Sequence, residues 1–205
     1  MKIVTQSWQF EEEINGLEIL QKIERAGRTC YKSEGRITDD SAKTFVANML
    51  KSGHHSVIEH HNITVRIITD RGVTHEIVRH RLVSYSQEST RYCNYADAGK
   101  LGISFICPEG FYLDHDDLAL LQAVEHHYNQ CIQNGRSPQQ ARYFLPNGLK
   151  TEIVMTANLR EWRHFFTLRA SPKAHPQMAA LAKDMLLGFR AVVPVLFDDI
   201  HPEVK

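Results

Sequence analysis

Arg79-His80-Arg81-Leu82-Val83-Ser84-Tyr85-Ser86-Gln87-Glu88-Ser89-Thr90-Arg91-Tyr92 is the stretch on which the reading of this chain turns. Arginine, histidine and arginine stand side by side, and serines and a further arginine follow. The segment shows no apolar face at helical or strand period for a core to bury. Its density of Arg, His, Ser, Gln and Tyr donors points to a site that grips something anionic and planar.

Composition narrows what that ligand can be. The chain has 205 residues, of which 42% are apolar and 23% charged, as in an ordinary globular protein. Lys+Arg and Asp+Glu both number 24. Binders of polymeric DNA or RNA usually carry a basic excess, so a neutral chain argues against them. A small anion in a local arginine pocket fits. The four cysteines, Cys30, Cys93, Cys107 and Cys131, form no CxxC pair, which leaves a zinc ribbon or thioredoxin-type motif unsupported. The start, Met1-Lys2-Ile3-Val4-Thr5, lacks the apolar run of a signal peptide, and no stretch approaches a membrane span. A cytoplasmic protein with reduced thiols is expected.

Working outward, the periodicities predict one α+β domain over 1–205, a small mostly antiparallel sheet with several long helices. Residues 1–7 read as a short strand. Apolar spacing predicts helices over Leu17–Ala26 and Thr38–Leu50, the second capped by Thr38 or Ser41 and stopped at Gly53. Ile63, Val65 and Ile67 alternate along a strand over Asn62–Thr69, and Val73–His80 reads as a short helix. Ile103–Cys107 is a strand, with Cys107 taken as a core thiol. Asp114–Asn134 is a long helix, Ser137-Pro138 restarts another, and Lys150–Met155 is a strand. Asn158 caps a helix to Arg169 that carries Arg160, His164 and Leu168 on one face, with Trp162, Phe165, Phe166 and Arg169 around the other. A last helix runs from Pro176 to Val193.

Two clusters carry chemistry. His54, His55, Glu59, His60 and His61 invite a metal reading, but their spacing matches no known zinc motif. Arg79, Arg81, Arg91, Arg142, Arg160 and Arg169 have few acids near them in sequence; Glu76, Glu88 and Glu161 are the candidates to pair with them. Phosphates of a ligand would supply the missing charge. Ser89-Thr90-Arg91 offers hydroxyls, backbone N–H groups and a guanidinium fork, a set that suits a phosphate monoester. An RNA- or nucleotide-binding module stacking bases on Tyr85, Tyr92 and Tyr95, and a histidine-ligated metalloenzyme, stay open as alternatives.

Arg79-His80-Arg81, seven residues, then Ser89 and Arg91-Tyr92 resembles the signature of flavin-dependent thymidylate synthases. Gly53-His54-His55-Ser56-Val57-Ile58-Glu59-His60, Ala141-Arg142-Tyr143-Phe144-Leu145-Pro146, and Asn158-Leu159-Arg160 with Leu168-Arg169-Ala170 resemble three further segments of that family. The resemblance implies a homotetramer with active sites shared between subunits. It implies FAD reduced by NADPH, methylenetetrahydrofolate as carbon donor, and methylation of dUMP to dTMP for dTTP biosynthesis. By position, His54, Ser56, Arg79, His80, Arg81, Gln87, Asn158, Arg160 and His164 would hold FAD. Glu76, Arg79, Gln87, Glu88, Ser89, Thr90, Arg91, Arg142 and Arg169 would contact dUMP. Arg169 would be catalytic, favouring ionisation at N3 of the uracil, and Ser89 would bind rather than attack. Glu76 stands where the family often has glutamine, Gln87 where it often has glutamate, and Lys173 where a flavin-contacting histidine is frequent.

Overall fold

A computed structural model describes residues 1–97 and 102–202. Its strands are β1 (Lys2–Val4), β2 (Ser7–Phe10), β3 (Asn62–Asp70), β4 (Val83–Gln87), β5 (Ser104–Ile106) and β6 (Lys150–Asn158). The helices are α1 (Gly16–Thr29), α2 (Ser41–Lys51), α3 (Arg71–Ile77), α4 (His115–Gln133), α5 (Pro138–Ala141), α6 (Leu159–Arg169) and α7 (Pro176–Val192). Short 3₁₀ turns lie at Glu34–Arg36, His55–His60 and Arg142–Phe144. Four strands form a small antiparallel sheet in the order β2-β3-β6-β4, so the architecture is the expected α+β. β1 and β5 pair separately and in parallel, with Ile3 opposite Phe105. Among the described residues, no helix is long and apolar enough to cross a membrane.

The chain divides into two compact units. One comprises Met1–Trp8, Arg66–Arg79 and Tyr85–Val154; the other comprises Gln9–Val65, His80–Ser84 and Met155–Lys205. The first unit buries Tyr95, Ile103, Phe105, Tyr128, Cys131, Ala141 and Leu149 together. The Tyr128 hydroxyl accepts from the backbone N–H of Tyr95, which keeps that buried oxygen satisfied. Asp114 caps α4, and Asp117 returns the bond to close a capping box. Of the apolar residues Leu118, Leu121, Val124 and Tyr128 along α4, Tyr128 is buried and the other three are half-buried.

The second unit is built on an aromatic cluster. Trp162 stacks on Phe166 at 5.7 Å, and Phe166 and Phe189 meet edge to face at 5.0 Å. Trp162, Phe166 and Phe189 are fully buried, and the indole N–H donates to the Ile63 carbonyl at 3.0 Å. Asn15 caps α1 by accepting from Glu18 N–H. At Gly16, the first residue of α1, a Cβ would run into the carbonyl of Val192 at the end of α7. Asn158 ends β6 and caps α6 at once, accepting from Glu161 N–H, so strand passes into helix with no intervening loop.

Three expectations are corrected. Val83–Gln87 is a strand: Val83, Tyr85 and Gln87 are half-buried while Ser84 and Ser86 face out, a polar alternation that a search for apolar period misses. α3 begins earlier and ends earlier than Val73–His80, because Asp70 caps it by accepting from Val73 N–H at 2.8 Å. Ser41 is the first residue of α2 rather than its cap; its hydroxyl donates to Glu24 at 2.8 Å and accepts from Thr38 N–H. Gly53 just past α2 takes the left-handed φ of 73° that glycine allows.

Candidate functional site

α6 organises the candidates of the second unit. The ladder of β6 fixes Asn158, Asn158 fixes the first turn, and the aromatic cluster fixes which side of α6 faces inward. Arg160 and His164 therefore lie exposed on the outer face. Arg160 pairs with Glu59 of the His55–His60 turn at 2.6 Å, which ties α6 to the segment carrying His54 and Ser56. Both of those side chains are exposed, as is Arg81.

His80 behaves differently. It is 5% exposed, and its ring lies 5.1 Å from Phe165 and 5.6 Å from His164. Its Nδ1 meets the Glu161 carboxylate at 3.0 Å, and its Nε2 meets Nε of Arg169 at 3.1 Å. An arginine Nε–H only donates and a carboxylate only accepts, so the ring donates through Nδ1–H and accepts through Nε2. This is the neutral tautomer. Burial pushes the imidazole below its ordinary value; Arg169 and His164 add to that, and Glu161 opposes it. The contact with Glu161 is thus a hydrogen bond of a neutral ring rather than an ion pair.

The substrate candidates of the first unit cluster where β4 ends. Gln87 donates to the hydroxyls of Thr74 at 3.0 Å and Thr151 at 3.3 Å. The Glu88 carboxylate accepts from the Tyr95 hydroxyl at 2.5 Å and from Lys150 at 2.9 Å. Burial, with Glu88 adding to it, raises the Tyr95 phenol well above its ordinary value, so it stays a donor. Ser89 Oγ accepts from Arg91 N–H at 3.3 Å, Arg142 donates to the Thr90 hydroxyl at 3.3 Å, and Arg91 Nε donates to Gln139 at 2.9 Å. Arg91 also lies over the Tyr92 ring at 5.3 Å. Ser89, Thr90, Arg91 and Arg142 are thereby brought together. Glu76 is half-buried on α3 and Arg79 exposed just beyond it.

Arg79, Arg81, Arg91 and Arg142 are exposed, and among the described residues none has a carboxylate at ion-pair distance. Of the three acids expected to pair with arginines, Glu88 is held by Tyr95 and Lys150, and Glu161 by His80. The His54–His61 segment forms no metal-ligand group among the described residues. One such group is His80, Glu161 and His164, whose ligand atoms lie within 4.8 Å of one another, but Arg169 already donates to that imidazole. Cys107 is half-buried rather than a core thiol; it lines a cavity of about 590 Å³ in the first unit together with Glu88, Tyr95 and Lys150.

Thr74, Thr151, Tyr95, Lys150 and Gln139 were not legible as partners of the site. One missed link had a signal: Glu161, Phe165 and Arg169 repeat every four residues and so share a side of α6 with the aromatic core.

An α+β chain that exposes four guanidiniums with no acid partner among the described residues has cationic donors available for anionic ligands. The sequence profile described as "Thymidylate synthase complementing protein" matches residues 17–195, and the chain belongs to that family. A flavin-dependent thymidylate synthase of Mycolicibacterium gilvum is 34% identical over 201 residues, 87% of this chain and 78% of the relative. The enzyme of the same description from Geobacter sulfurreducens is 32% identical over 188 residues, 86% of this chain and 80% of the relative. The UMP/dUMP methylase PolB of Streptomyces cacaoi, solved with 5-Br dUMP, shares the fold: its TM-score is 0.77 at 20% identity, covering 97% of this chain and 96% of that one.

Proposed function

We propose that this chain is a flavin-dependent thymidylate synthase that methylates dUMP to dTMP, with methylenetetrahydrofolate as carbon donor and NADPH as reductant of FAD. One observation carries the reading: Arg79, Arg81, Arg91 and Arg142 are exposed and, among the described residues, without acid partners, on motifs that resemble those of the family. That donor set fits FAD and dUMP, whose phosphates supply the charge the protein lacks. His54, Ser56, Arg79, Arg81, Asn158, Arg160 and His164 hold the flavin in this reading. His80 and Gln87, also expected at the flavin, take supporting roles, because the His80 side chain bonds Glu161 and Arg169 and that of Gln87 bonds Thr74 and Thr151. Ser89, Thr90, Arg91 and Arg142 receive the dUMP phosphate, with Gln87 and Glu88 fixing the backbone that cradles it. Glu88 acts through its bonds to Tyr95 and Lys150 rather than by touching an anion.

Bound FAD supplies the hydride chemistry. The protein's part is orientation and electrostatics. Arg169, set beside the uracil, stabilises negative charge at N3 and so polarises the ring toward carbon–carbon bond formation. Holding nucleotide and cofactor in register replaces a chance encounter with a fixed one. The proposed state is a cytoplasmic homotetramer, each chain one catalytic domain over 1–205, with sites that draw on more than one subunit. Exposed Leu82, Tyr92 and Tyr143 each adjoin an arginine and suit burial against a second copy.

The test is spectroscopic and kinetic. Freshly purified protein is expected to be yellow, to oxidise NADPH faster when dUMP is added, and to form dTMP when methylenetetrahydrofolate completes the mixture. Colourless protein that takes up no FAD on reconstitution overturns the reading.

A further inference from the structure

We propose that Glu161 and His80 form a relay that positions Arg169: the carboxylate holds the imidazole as its neutral Nδ1–H tautomer, and Nε2 then orients the guanidinium by accepting from Nε–H. The assignment of Arg169 to the pyrimidine rests on the function proposed above; the relay itself rests on the two hydrogen bonds. Every link is fixed by another. Asn158 pins the backbone of Glu161 at 2.9 Å, Glu161 is 7% exposed, and Phe165 and His164 flank the ring.

Protonation breaks the chain. A proton on Nε2 would face the Nε–H of Arg169, donor against donor and cation against cation. The charged or titratable groups facing the ring from α6 are Glu161, His164 and Arg169; on its own segment, neighbouring Arg79 and Arg81 are exposed. Turnover is therefore expected to fail on the acid side when His80 takes up a proton, with Arg169 released from its set position. A cation at His80, Glu161 and His164 would have to displace both bonds and sit against a guanidinium, so the relay is the better use of these atoms.

Two measurements on the full chain test it. In protein labelled with ¹⁵N-histidine, with His80 assigned by its loss in His80→Gln, long-range proton–nitrogen spectra near neutral pH are expected to show protonated Nδ1 and bare Nε2. A protonated Nε2 overturns the relay. In the kinetic arm, Glu161→Gln removes the charge that selects the tautomer while leaving the cap on α6, because Asn158 bonds the backbone. It is expected to lower kcat for dTMP by about tenfold, the scale of one charged hydrogen bond, with KM for dUMP little changed. It should also move the acid limb of kcat to lower pH, since the carboxylate that raises the proton affinity of His80 is gone. His80→Gln, whose amide both donates and accepts, is expected to retain part of the rate and lose that limb. An unchanged kcat and an unmoved limb in Glu161→Gln overturn the positioning role. Wild-type protein that forms no dTMP under any of these conditions defeats the functional reading instead, and the tautomer spectrum still decides the relay.

Discussion

The Nε–H of Arg169 donates to Nε2 of His80 over 3.1 Å, and both groups belong to the same compact unit. This gives Arg169 a fixed seat, in contrast to exposed Arg79 and Arg81. Arg169→Ala is expected to abolish dTMP formation while FAD stays bound, because the flavin contacts proposed above lie on other residues. Flavin absorbance and single-turnover dTMP yield are the two readings; a variant that turns over normally removes Arg169 from catalysis.

His54 stands just before the His55–His60 turn, exposed, in the segment that Glu59 ties to Arg160. His54→Ala is expected to leave the fold intact and weaken flavin retention by about tenfold, the scale of one charged or strong hydrogen bond. Flavin-to-protein ratio after gel filtration measures this. An unchanged ratio would contradict the assignment of His54 to the cofactor.

Acid should weaken the folded state in a definite window. His80 sits below the ordinary value of 6.5 in the folded protein, chiefly through burial, so the unfolded chain takes up the proton first. Stability is complete above about 6.5, declines as pH falls through it, and levels off below the folded value. His61, lowered by burial and then by Lys22, acts in the same direction. Asp199 is lowered by its hydrogen bonds from Arg163, so its contribution is present above the ordinary carboxylate value and is lost only at more acid pH. Urea unfolding of wild type and His80→Gln between pH 7.5 and 5 separates the His80 part: the variant's stability should fall less steeply. Parallel curves would count against a proton-excluding site at His80.

Trp162 is the keystone of the aromatic cluster, fully buried and bonded to the Ile63 carbonyl. Trp162→Ala is expected to cost about 3–5 kcal/mol by leaving a cavity. Trp162→Phe should lose less, mainly the N–H bond. Urea midpoints rank the two, and equal losses would show that the ring volume is not what matters there.

Legibility followed the period of the side chains. α1, α6 and α7 and the strand β3 were readable because each shows apolar residues at one clear spacing. Asn158 was readable as a cap because a polar side chain stood at the join of two such patterns. β4 was not, since Ser84 and Ser86 alternate with Val83, Tyr85 and Gln87, and only one of the inward residues is aliphatic. The motif residues of the candidate site stood out in the sequence as a set; the side chains that hold them did not. Gln139 lies 48 positions from Arg91, and Lys150 lies 62 from Glu88. Such links depend on how strands and helices are laid side by side, which no local pattern encodes.

The join at Asn158 leaves the chain no slack. One residue added between Met155 and Asn158 would put every later side chain of β6 on the opposite face of the sheet, carrying the start of α6 with it, Trp162 out of its core and Arg169 off its imidazole seat. Homologous chains that keep this chemistry should tolerate changes of identity along that segment but not of length, and an engineered insertion there would test the geometry without altering a single functional side chain.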